Sequence, residues 1–84
     1  MPLIASFYGI TIRMYFQQSE HNPPHVHAYY GEYVLAISIV GGVVLDGWLP
    51  QRALTLVRDW IGDNEAELLD MWRTQEFKRL PPLE

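Results

Sequence analysis

The sequence predicts one α+β domain over residues 1–84: a small antiparallel sheet of three or four strands, with two C-terminal helices covering one of its faces. Three observations predict it. Apolar and polar residues alternate with period two before Pro50, the period changes to helical spacing after it, and glycine-centred turn signals separate the alternating runs. Eighty-four residues support one modest core, because a chain this short buries only about 60% of the surface its unfolded form exposes.

Residues 3–16 are rich in strand formers, and Ile10, Ile12, Met14 and Phe16 alternate with Thr11, Arg13 and Tyr15. The first set is expected to face the core. Gly9 marks either a bend in one long strand or the turn of a short hairpin. The polar, proline-containing stretch 17–24 reads as a connection. Residues 25–30 then form a strand with His25, His27 and Tyr29 on one face and Val26, Ala28 and Tyr30 on the other. Gly31-Glu32 is a tight turn into residues 33–39, where Leu35, Ile37 and Ile39 supply a core face. Gly41-Gly42 offers a second hairpin turn before Val43–Leu45, and Asp46-Gly47 reads as a further turn.

After Pro50, which suits a first helical turn because its missing N–H has no partner there anyway, Ala53, Leu54, Leu56, Val57, Trp60 and Ile61 recur at helical spacing. Gly62 is expected to weaken or end this helix. Asn64 and Glu67 have the spacing of a capping box, which predicts a second helix reaching about Lys78, and Pro81-Pro82 ends the pattern. Trp60 and Trp72 are read as packing anchors.

Composition narrows the function classes. The chain is 49% hydrophobic with three Trp, five Tyr and three Phe, too apolar for a disordered segment and aromatic enough to leave surface for a partner. Net charge is −4, with one basic against three acidic residues in 1–50 and five against seven in 51–84. That average field opposes a polyanion unless Arg13, Arg52, Arg58, Arg73, Lys78 and Arg79 converge. Cysteine is absent, which excludes disulfides and thiolate chemistry. With no basic leader and no apolar run approaching the roughly 18–20 residues of a spanning helix, the chain is expected to be soluble, cytoplasmic and unprocessed, without a membrane role.

The segment His21-Asn-Pro-Pro-His25-Val-His27 gathers all three histidines into seven residues. Neutral imidazoles ligate transition metals, so His21, His25 and His27 are a candidate metal set, with Glu20 the nearest fourth donor. Alternatively, His25 and His27 are a candidate acid–base pair for metal-independent RNA cleavage, with Arg13 or Tyr29 stabilising charge on the phosphorus centre. The third reading is structural: histidines that hydrogen-bond to main chain beside a proline-stiffened turn, on a sheet surface that binds a protein. No phosphate loop, dinucleotide fingerprint or serine-histidine-acid pattern is visible, so no cofactor is expected.

Ile4-Ala5-x-Phe7-Tyr8-Gly9-Ile10-x-Ile12-x-Met14-Tyr15, followed by His21-Asn22-Pro23-Pro24-His25-x-His27-Ala28, resembles the bacterial domain-of-unknown-function family numbered 4160. Leu49-Pro50-x-Arg52-Ala53-Leu54, Trp60, Glu67-Leu68-Leu69 and Trp72 extend the resemblance over nearly the whole chain. It implies a small bacterial protein encoded beside another small domain, in arrangements like those of toxin–antitoxin pairs. The functional expectation is therefore a protein-interaction module that self-associates or pairs with a neighbouring gene's product. A histidine-pair ribonuclease and a histidine metal site are the alternatives.

Overall fold

The computed structural model describes residues 3–15 and 23–83. Their elements run β1 (Leu3–Phe7), β2 (Ile10–Arg13), β3 (His25–Tyr30), β4 (Tyr33–Ser38), β5 (Val44–Gly47), α1 (Gln51–Asp63) and α2 (Glu65–Thr74). The strands form one antiparallel meander in the order β1-β2-β3-β4-β5. The expectation of three or four strands is thus corrected to five among the described residues. Two local features account for the difference. Gly9 is the corner of a true hairpin, with Tyr8 at φ 49° and Gly9 at φ 79°, the paired positive angles that let a two-residue turn follow strand twist. Asp46-Gly47 is no turn but the end of β5, opposite Ala36 and Leu35.

Period-two alternation sends Ile10, Ile12 and Met14, Val26 and Ala28, and Leu35 and Ile37 into one core, which Ala53, Val57, Trp60, Leu68 and Met71 of the helices close from above. The Trp60 ring lies 5.7 Å from that of Phe7, and its indole N–H donates to the Pro81 carbonyl at 2.8 Å. Burial satisfies both halves of the indole, apolar body and polar edge.

The helices differ from expectation in three places. α1 continues through Gly62 to Asp63, because Gly62 sits on an exposed position where the helix needs nothing from a side chain. The Asn64 side chain makes no capping bond to α2 and instead donates to the Trp60 carbonyl at 2.9 Å, while Glu67 pairs with Lys78 at 2.8 Å. α2 ends at Thr74 and not Lys78: Gln75 takes a left-handed φ of 61° and its N–H donates to the Met71 carbonyl. From there the chain turns back across the outer edge of β1, where the Leu80 N–H donates to the Ile4 carbonyl at 2.8 Å.

Candidate functional site

The helices occupy one face of the sheet, and strand parity puts Arg13, His25, His27 and Tyr29 on the other. Register sets their neighbours. Arg13 lies directly opposite His27, Thr11 opposite Tyr29, and Ala36 between His27 and Asp46, so a row Arg13–His27–Ala36–Asp46 crosses four strands. The Tyr15 and Tyr29 hydroxyls hydrogen-bond to each other, and the Tyr15 ring stands edge-on to His27 at 4.8 Å. The four residues singled out in the sequence are therefore brought together, while His21 and Glu20 lie outside the described residues.

The two imidazoles are 5.3 Å apart and in unlike environments. His25 Nδ1 is 2.9 Å from the Pro23 carbonyl oxygen, which can only accept, so Nδ1 carries the proton and the neutral ring presents Nε2 as its acceptor. The proline pair supplies this anchor by holding the carbonyl beside the strand start. His27 Nδ1, in contrast, is buried without a hydrogen-bond partner. Burial, and then the neighbouring His25, lower the His27 pKa below 6.5, with Asp46 opposing weakly. Tyr29 is pushed up to about 12, first by burial and then by its bond to Tyr15.

His25 also lines a concavity of about 360 Å³ with Pro23, Ala36, Leu45 and Asp46. Asp46 Oδ1 accepts the Gly47 N–H at 2.9 Å. Trp72 of α2 reaches the His25 ring at 5.0 Å, a neighbour that helical periodicity gave no means of finding. A larger concavity, about 420 Å³, lies elsewhere, between Tyr8, Tyr30 and the start of α1 at Arg52, and contains none of the predicted site residues.

The expected three-histidine cluster is corrected for the described residues, which do not include His21. Among the described residues no group of three or more His, Cys, Asp or Glu side chains is disposed to hold an ion. His25 holds its Nδ1 at the Pro23 carbonyl and His27 buries its own, so neither Nδ1 is open to an ion. Three of the basic side chains are committed locally and two more stand apart. Arg58 donates to the Gly42 carbonyl at 3.0 Å, Arg73 pairs with Asp70, Lys78 pairs with Glu67, and Arg13 and Arg52 stand on opposite faces of the fold.

The β4–β5 side of the sheet carries a different surface, one that no single motif announced. All four residues of β5 are exposed. Besides Val44 and Leu45 within it, Trp48 (60%), Val43 (56%), Val34 and Tyr33 beside it remain accessible, and the Trp48 and Tyr33 rings pack 5.1 Å apart. Scattered apolar side chains are ordinary on a protein surface, but a group of them gathered along the free edge of a sheet is a binding feature. Among the described residues, no helix is long and apolar enough to cross a membrane.

A family model described as Domain of unknown function (DUF4160) matches residues 9–73. No curated protein and no solved structure matches the chain.

Proposed function

We propose that this chain, which belongs to the DUF4160 family, is a protein-interaction module that binds another polypeptide along β5. One observation carries the reading: the β1 edge of the sheet is crossed by the chain's own Leu80, whereas the β5 edge is bordered by exposed apolar side chains. An unpaired edge offers main-chain donors and acceptors to an added strand, and the apolar strip adds the burial that makes such pairing persist in water. The family resemblance makes a small protein from a neighbouring gene, as in a toxin–antitoxin-like pair, one partner class; a second copy is the other. Light scattering after size-exclusion chromatography, on the chain alone and co-expressed with the adjacent gene product, tests the reading. A complex or oligomer that Trp48→Ser weakens supports it, and a chain that is monomeric under both conditions rejects it.

A histidine-based RNA-cleaving site is the second reading, favoured by the anchored Nδ1 of His25. That anchor makes His25 the proton acceptor, with Arg13 across the strand from His27 as the charge stabiliser. The leaving oxygen needs a protonated donor, and burial works against this form at His27. For this reason the interaction reading ranks first. Cleavage of a mixed RNA panel in chelator, lost by about 10²–10⁴-fold in His25→Ala with folding intact, is the result this reading requires. No cleavage by the intact protein removes it.

A further inference from the structure

We infer that the strand added to β5 is β5 of a second copy, paired antiparallel about a two-fold axis so that two five-stranded sheets continue into one. This rests on the interaction reading and names its partner. Four features argue for it. An antiparallel edge is self-complementary, since a two-fold rotation sets the same donors and acceptors against each other.

Asp46 is the one charged residue in β5. With the axis at Leu45, each Asp46 faces Val44 of the other copy, not Asp46, so the two carboxylates are not directly opposed.

The third feature is area. Tyr33, Val34, Val43, Val44, Leu45 and Trp48, at 37–60% exposure, leave roughly 600 Å² per copy, near the ~800 Å² per partner of a standard interface.

The fourth is closure. The other sheet edge is crossed by the C-terminal segment, with Leu80 bonded to Ile4, so a second copy cannot add there. Growth stops at two.

Because each copy carries −4, long-range repulsion opposes the contact while apolar burial drives it. Salt therefore strengthens the dimer, the reverse of what a charge-matched partner gives. Sedimentation velocity on the full chain, across micromolar to millimolar concentration and from about 0.05 to about 0.5 M salt, is the experiment. The expected result is a monomer–dimer equilibrium without larger species, tightening with salt. Val44→Lys, which places a charge on the edge, weakens it by roughly tenfold or more. Trp48→Ser, at a solvent-exposed position outside the strand, weakens it independently.

Amide exchange on β5 should slow with concentration while that on β1 does not. A monomer at every concentration overturns the inference. So does a dimer indifferent to both variants, or assembly beyond two copies. If the monomer nevertheless captures the adjacent gene product through Trp48, the inference alone fails; if it captures nothing, the interaction reading fails with it.

Discussion

The main-chain N–H of Leu80 bonds to the carbonyl oxygen of Ile4 at 2.8 Å, joining the last segment of the chain to the first strand of the sheet. The Leu80 side chain is simultaneously buried in the core. One residue therefore anchors the tail and blocks an edge.

Replacing Leu80 with Pro removes the donor and most of the buried side chain. The expected loss is about 2–4 kcal/mol in urea denaturation, the sum of a missing hydrogen bond and a core truncation. Light scattering should also detect species larger than a dimer, because β1 becomes available for pairing. A stability loss without larger species would show that the β1 edge is protected by something other than this contact.

Two glycines predict opposite outcomes. A Cβ on Gly47 would lie 2.1 Å from the Val34 carbonyl oxygen, at φ 83°, so Gly47→Ala should destabilise by about 2 kcal/mol or more and disrupt the end of β5. A Cβ on Gly62 meets nothing within 4 Å on an exposed turn of α1, so Gly62→Ala should stabilise by about 0.5–1 kcal/mol. Thermal melting of the two variants against the parent checks both signs.

His27 makes stability depend on acidity. Its folded pKa lies below the unfolded value of 6.5, first through burial and then through His25, so the unfolded chain takes up the proton sooner as pH falls. Stability contributed by the neutral ring is intact above 6.5, declines as pH drops through the interval between 6.5 and the folded pKa, and levels off below it. His27→Gln should flatten that part of the urea-midpoint profile. An unchanged slope in the variant would assign it to other groups.

Tyr29 acts at the alkaline end. Its pKa of about 12 exceeds the ordinary 10 because of burial and the Tyr15 hydroxyl, so the unfolded chain loses this proton first and stability falls as pH rises from 10 through 12. Ultraviolet titration of tyrosinate should show a late-ionising component from Tyr29. Tyr15→Phe should move it toward 10 by removing the hydrogen-bond partner.

Local sequence determined the strand at residues 25–30, the helical change after Pro50 and the shared face of His25, His27 and Tyr29, because each depends only on a period of two or 3.6 within one segment, whereas Arg13 joins that face only through the pairing of β2 with β3. Nonlocal contacts decided the rest. The turn signal at Gly41-Gly42 placed a hairpin arm at Val43–Leu45, but with four exposed residues the strand carries no alternation to mark its end, and pairing with β4 carries it through Asp46 to Gly47. α1 passes through Gly62 because Trp60 and Ile61, immediately before it, are held in the core, which outweighs the propensity cost. Asn64 turns from capping α2 to closing α1, since the Trp60 carbonyl is the acceptor within its reach. The unlike states of His25 and His27, two residues apart on one strand, come from the Pro23 carbonyl beside one ring and the packing around the other, and spacing alone carries no record of either.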